Sequence, residues 1–164
     1  MKKCVAALLL AVAVIAAQSA QAEGNVADVT DMAALRTAVR ADKKALVAAT
    51  IKLTDAEAKK FWPVYEAYQR DLDMADRRRT VALEGLIGLD KPISNLYAKN
   101  LANELIAADE IEIKSRRTLH NRLIKPLPGR LIMPAAKGAR YLQLEAKIRA
   151  YQAYDIASTI PLVK

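Results

Sequence analysis

Hydrophobic residues downstream of residue 28 recur in steps of three and four, which is the spacing of one face of an α-helix. Met32, Leu35, Val39 and Leu46 follow this pattern in a first segment, residues 28–49. The same spacing continues at about 55–86, at 95–124 and in a last segment that opens at Pro134. The pattern predicts an all-α fold of four helices, with the second and third long, and no strand.

The starts of the second and third helices carry capping signals. Leu53 and Thr54 precede the second helix, and Glu57 stands three residues after Thr54, so the two side chains can form a capping box. Ser94 is the candidate cap of the third helix. Pro63 lies inside the second helix, where it removes a backbone donor and predicts a bend near residues 61–62.

Breakers separate these helices and suggest how they are arranged. Residues 125–129 contain two prolines and a glycine, which cannot continue the third helix. Pro161 ends the last helix, whose predicted apolar side consists of Tyr141, Leu144, Ile148, Tyr151 and Tyr154. Long helices joined by short connections favour antiparallel helical hairpins in a four-helix arrangement. We therefore expect a single all-helical domain over residues 23–164.

The amino terminus has the pattern of a secretory signal peptide. Lys2 and Lys3 precede thirteen apolar residues, 5–17, and an Ala-x-Ala site ends at Ala22. The apolar run is too short for a membrane anchor, which needs about 20 residues. We predict cleavage after Ala22 and a periplasmic location. Cleavage removes Cys4, the only cysteine, and with it any thiolate chemistry.

The composition is that of a globular helical protein, and its charge is basic. Hydrophobic residues make up 53% of the chain and aromatic residues only 5%, which favours helices over sheets. The formal charge of +8 falls to +6 once the signal peptide is removed. A basic chain can bind nucleic acid, but here acidic residues are interleaved with the basic ones and no nucleic-acid motif is present. We expect no nucleic-acid partner.

Arg77, Arg78 and Arg79 form the densest basic cluster. Most charge runs are solvated surface, and many acids here stand four residues before a base, the favourable order on a helix. Arg79 differs because it is in step with the apolar side of the second helix. It is either a structural arginine, paired or snorkelling to solvent, or a partner-binding residue on a concave surface.

The chain offers little for catalysis or metal binding. His120 is the only histidine, and no Glu-x-x-His pair is present. Asp109, Glu110 and Glu112 could hold a hard cation, but basic residues four positions later favour salt bridges instead. We predict no enzyme activity, no metal and no cofactor.

Phe61, Trp62, Tyr65 and Tyr68 form the richest aromatic cluster. Two interpretations remain open. The rings are either core packing at the Pro63 bend or an aromatic cradle for apolar segments of another chain.

The Leu-Thr-x-x-x-Ala start at Leu53, followed by Phe-Trp-Pro-x-Tyr-x-x-Tyr from Phe61, resembles the periplasmic LTXXQ-motif family of Spy/CpxP-like envelope-stress proteins. Glu57 stands where that family has glutamine, and a second copy of the motif departs further, with Ile93, Ser94 and Tyr97. The resemblance implies curved helical hairpins, often dimeric, whose concave face of basic and apolar side chains holds unfolded proteins without ATP.

These observations lead to two functional hypotheses. The first is an exported, non-enzymatic helical protein that binds unfolded or envelope proteins as a chaperone-like or stress-adaptor module. Its partner-binding residues would be Phe61, Trp62, Tyr65, Tyr68, Arg77, Arg78 and Arg79, and a homodimer is left open. The alternative is a structural or regulatory subunit that docks on an envelope membrane protein or an anionic lipid surface, as the basic charge suggests.

Overall fold

The computed structural model describes residues 31–124 and 131–163. Within these ranges the chain forms four helices and no strand: α1 (Met32–Ile51), α2 (Asp55–Glu84), α3 (Asn95–Leu123) and α4 (Ala135–Ala157). The prediction of an all-α fold is confirmed. The predicted signal peptide and the breaker at 125–129 lie outside the described residues. No helix in the described ranges is both long enough and apolar enough to cross a bilayer.

The chain divides into two compact units, residues 1–52 and 53–164. The described part of the first unit is α1, which was predicted as one uninterrupted helix. Its backbone leaves the helical region at Asp42, where φ is −163° and ψ is 101°. The Asp42 carboxylate accepts a hydrogen bond from the backbone N–H of Ala45 at 2.9 Å. Asp42 therefore caps the second half of α1, a role for which aspartate is well suited.

The second unit contains α2, α3 and α4. α2 and α3 pack along each other, with Leu72 and Ala75 of α2 and Ala108 and Leu119 of α3 all buried. The polar contacts between these two helices run in opposite chain order. Asp71 of α2 contacts Ser115 of α3, whereas Arg78, which comes later in α2, contacts Glu104, which comes earlier in α3. α2 continues through Pro63 as one helix.

α4 contacts α2 mainly through long side chains. The rings of Phe61 and Tyr141 meet edge to face with centroids 5.0 Å apart, and both are fully buried. Such pairs contribute about 0.5–1.5 kcal/mol beyond the area that they bury. At the start of α4, a Cβ at Gly138 would lie 2.9 Å from Cδ1 of Ile124. The absence of a side chain at Gly138 therefore lets α4 begin close to the end of α3.

The buried side of α4 differs from the predicted one at its carboxyl end. Tyr141, Leu144 and Ile148 are buried as expected, but Tyr154 is 71% exposed. At 100° per residue, position 154 lies about 140° around the helix from position 141. The buried side instead includes two charged residues, Glu145 and Arg149.

Candidate functional site

The aromatic cluster of α2 lies mostly in the interior of the protein. Phe61, Tyr65 and Tyr68 are buried, whereas Trp62 is half-buried. The Trp62 ring meets Tyr65 edge to face, with centroids 5.3 Å apart. Of the two interpretations of this cluster, this geometry corresponds to core packing, and Trp62 is the member that is partly exposed.

The three consecutive arginines of α2 occupy three different environments. Arg77 is exposed. Arg78 binds Glu104 of α3 through both nitrogens of one guanidinium edge, with an Nη2–Oε1 distance of 3.0 Å. Arg79 donates to Asp76 at 2.8 Å and to Asp109 at 2.9 Å. Arg79 is therefore a paired structural arginine, one of the two roles predicted for it.

Arg79 is part of an ionic network that joins all three helices of the second unit. Arg149 of α4 binds Asp76 of α2, with nitrogen–oxygen distances of 2.8 and 3.0 Å. It also binds Glu112 of α3, at 2.7 and 3.2 Å. Arg79 completes the set with a 3.4 Å contact to Glu112. We call Asp76, Arg79, Glu112 and Arg149 the three-helix ionic network.

Two members of the network, Glu112 and Arg149, have shifted pKa values. Burial alone would raise the pKa of Glu112, but the hydrogen bond and charge of Arg149, with the charges of Arg79 and Arg116, outweigh burial and lower it. Burial likewise opposes the charged form of Arg149, yet Asp76 and Glu112 hold the pKa of Arg149 above its usual range. The ion pairs therefore persist at neutral pH and fix α4 against α2 and α3.

The capping residues are arranged as the sequence suggested. Thr54 Oγ1 accepts from the backbone N–H of Glu57 at 3.3 Å, and Glu57 Oε2 accepts from the N–H of Thr54 at 2.8 Å. Leu53, half-buried, directly precedes this capping box. Lys137 of α4 also donates to Glu57 at 2.7 Å, and this bond lowers the pKa of Glu57. The capping box thereby anchors the first turn of α4.

The start of α3 has a simpler cap. Ser94 Oγ accepts from the backbone N–H of Tyr97 at 3.2 Å. Tyr97 cannot return a hydrogen bond as glutamate does. Its hydroxyl instead lies against Gly85, where a Cβ would overlap it. Tyr97 therefore holds the end of α2 next to the start of α3.

Sequence reasoning named Arg77 but missed the rest of one outward face of α2. Arg70, Met74, Arg77 and Val81 follow one another at four-, three- and four-residue steps, so they share one face of the helix. All four are exposed, with Met74 at 55% and Val81 at 72%. We call these residues the basic–aliphatic stripe. This face could have been predicted from Met74 and Val81, which are seven residues apart and do not fall on the buried side of the helix.

Two of the three acidic residues considered for metal binding, Asp109 and Glu112, are engaged by arginines. Asp109 and Glu112 both contact Arg79, and Glu112 also binds Arg116 at 3.3 Å. Among residues 31–124 and 131–163, no group of three or more histidine, aspartate or glutamate side chains is placed to hold a metal ion.

Comparison of the chain with protein-family models, with curated proteins and with solved structures gives no match. The resemblance to the LTXXQ-motif family therefore stays a prediction.

Proposed function

We propose that this chain is an exported, non-enzymatic helical protein of the periplasm that binds other polypeptides, in a chaperone-like or stress-adaptor role. The observation that carries the proposal is the basic–aliphatic stripe of α2. Met74 and Val81 are large apolar side chains held in solvent, and Arg70 and Arg77 alternate with them. The signal-peptide pattern of residues 1–22 supports export.

The stripe has the chemistry to hold unfolded chains loosely. Burying one such aliphatic side chain against a client contributes at most about 1.5–3 kcal/mol. An exposed arginine paired with a client carboxylate adds about 0.2–1 kcal/mol. These small terms give reversible binding with little sequence selectivity, because any segment that combines apolar and acidic residues satisfies them.

In this proposal α2 and α3 form an antiparallel hairpin that presents the stripe, with α2 bent near residues 61–62. The reversed order of the contacts between α2 and α3 supports the hairpin. The position of Pro63 inside α2 supports the bend. The buried rings of Phe61, Tyr65 and Tyr68 then stiffen the presenting helix, and Arg77 is the member of the arginine cluster left for a client.

The test is suppression of aggregation of a chemically unfolded client, followed by light scattering. We expect the wild-type protein to slow aggregation and the double variant Met74→Ser/Val81→Ser to lose most of this effect. The matched control is Ile106→Ser/Ile113→Ser, which removes two exposed aliphatic side chains, also seven residues apart, from α3. The control should keep most of the suppression. No suppression by the wild-type protein, or equal losses in both variants, would refute the proposal.

The salt dependence of binding distinguishes this function from the lipid-docking alternative. Attraction of a basic protein to anionic vesicles is screened over about 8 Å at physiological ionic strength and weakens steeply as salt rises. Client binding led by Met74 and Val81 should weaken much less. Strong binding to anionic vesicles at low salt, without any effect on aggregation, would favour the alternative.

A further inference from the structure

A cavity of about 520 Å³ lies between α2, α3 and α4 in the second unit. Cavities of about 300–1,000 Å³ are of the size that holds small organic ligands in proteins. Most of the lining comes from α3 and α4, and Tyr68 is its one residue from α2. The cavity is therefore a different site from the basic–aliphatic stripe of α2.

Two charged residues of the lining are already matched within the protein. Arg116 binds Glu112 at 3.3 Å. Glu145 is only 2% exposed and interacts with other groups of the protein, so it offers almost no surface to a ligand. Neither residue needs a ligand of opposite charge. Burial, and next the charge of Glu145, raise the pKa of Tyr68 to about 12, so that hydroxyl is uncharged at physiological pH.

Arg117 is the charged residue of the lining that has no acidic neighbour on its own helix face. The residues three and four positions away along α3 are Ile113, Lys114, His120 and Asn121. Arg117 is exposed, and no ion pair engages it within residues 31–124 and 131–163. This contrasts with Arg116, which has Glu112 four positions earlier. Arg117 therefore brings an unmatched positive charge to the cavity.

Asn121 adds a second donor beside Arg117. It is exposed, lines the cavity and lies four residues after Arg117, so the two side chains are neighbours on the helix surface. The asparagine amide has two N–H donors and the guanidinium has five. A single anion at this position can accept hydrogen bonds from both side chains.

The wall opposite these donors is apolar. It is formed on α4 by Leu142, which is half-buried, and Ala146, which is exposed. The two residues are four positions apart and so share one face of the helix. A ligand in the cavity therefore meets an unmatched cation on α3 and an aliphatic surface on α4.

We propose that this cavity binds a small organic carboxylate, with its carboxylate group on Arg117 and Asn121 and its apolar body on Leu142 and Ala146. Guanidinium and carboxylate groups match each other in shape and charge and can pair through two parallel hydrogen bonds. A neutral molecule with the same body leaves Arg117 unpaired, and an amine meets the arginines as like charges. A carboxylate without a body leaves the apolar wall in water.

His120 provides a site-specific readout, because it is the only histidine in the chain and it lines the cavity. Its imidazole proton resonance can be followed by NMR while the purified protein is titrated with octanoate, octanol, octylamine or acetate. We expect a saturable shift with octanoate and an affinity for octanol that is about two- to fivefold lower, as for loss of an exposed ion pair. Octylamine should bind more weakly than octanol.

Acetate tests the apolar part of the site. Each methylene group that is buried raises affinity about fourfold, so burial of only two of them makes octanoate bind more than tenfold tighter than acetate. Equal affinities for octanoate and acetate would mean that the ligand body does not enter the cavity.

Arg117→Gln tests the charged part of the site. This variant should lower the affinity for octanoate about two- to fivefold, to that for octanol, and leave the affinity for octanol unchanged. The matched control is Arg122→Gln, which removes an exposed arginine of α3 outside the cavity lining and should leave both affinities unchanged. A general effect of net charge would instead change octanoate binding equally in the two variants.

Ala146→Phe tests the location without removing a charge. The added ring should fill the cavity and abolish binding of both octanoate and octanol, with folding checked by far-UV circular dichroism. The proposal is overturned if octanoate does not shift the His120 resonance, or if octanol, octylamine or acetate binds as tightly as octanoate. It is also overturned if Arg117→Gln keeps the preference for octanoate over octanol, or if binding survives in folded Ala146→Phe.

Discussion

Replacing Arg149 with methionine removes the central cation of the three-helix ionic network while keeping most of its apolar stem. The Arg149 side chain is 9% exposed, and Glu112, its partner, is 15% exposed. Removing one partner of a buried ion pair costs about 3–5 kcal/mol. Arg79 still contacts Asp76 and Glu112 in the variant, and Asp76 is 33% exposed. We therefore expect a loss of about 2–3 kcal/mol in the free energy of unfolding.

Arg116→Met is the matched control for this prediction. Arg116 binds the same carboxylate, Glu112, at 3.3 Å, but its side chain is 54% exposed. Exposed ion pairs of this kind contribute about 0.2–1 kcal/mol. Both variants thus remove a cation from Glu112, but Arg149 is more buried than Arg116 and also binds Asp76.

Urea unfolding provides the measurement, followed by the fluorescence of Trp62, the only tryptophan, and by circular dichroism. The pH dependence gives a second check, because the folded-state pKa of Glu112 lies below its ordinary value of 4.5. The stability from this depressed pKa is fully present above the unfolded pKa and is lost as pH falls through the folded one. The difference in the free energy of unfolding between wild type and Arg149→Met should therefore become smaller as the pH is lowered from neutral. Equal losses of stability in Arg149→Met and Arg116→Met would refute the stabilising role of the three-helix ionic network.

Substitutions at three other positions test the helix ends by thermal or urea unfolding. Thr54→Ala should cost about 1 kcal/mol by removing the cap of α2, and a neutral result would contradict the capping role. Glu57→Gln keeps the capping box but loses the Lys137 ion pair, so it should be less stable than wild type at pH 7 and equal to it well below pH 4.5, the ordinary pKa of Glu57. Gly138→Ala should hardly change the free energy of unfolding, because the Cδ1 end of the Ile124 side chain can move, whereas Gly138→Leu should be clearly destabilising. Equal effects of the two variants on stability would show that Gly138 is not tightly packed against Ile124.

Helix positions could be predicted because their signals are local. α2 begins at Asp55 and α3 at Asn95, as expected, because the hydroxyl groups of Thr54 and Ser94 satisfy backbone donors within three residues. The break of α1 at Asp42 was missed, although an aspartate followed by a regular helix is a capping signal. The break was missed because the helical spacing of apolar residues continues on both sides of Asp42.

The contacts between helices could not be predicted. Arg149 pairs with Asp76 and Glu112, which are far away in sequence, and no local pattern specifies which acid faces which base. The buried position of Glu145 was not predicted either, for a related reason. A search for apolar periodicity passes over a charged residue on the buried side of a helix, although its position places it beside Tyr141 and Ile148.

The claim that α2 contacts polypeptide clients through the basic–aliphatic stripe is tested most directly by photocrosslinking. A photoreactive amino acid placed at Val81 is illuminated in the presence of a chemically unfolded client, with the same group at Gln143, an exposed residue of α4, as the control. The proposal predicts strong crosslinks to the client from position 81, reduced by Arg77→Ala, and weak ones from position 143. Equal crosslinking from both positions, or none from position 81, would contradict it.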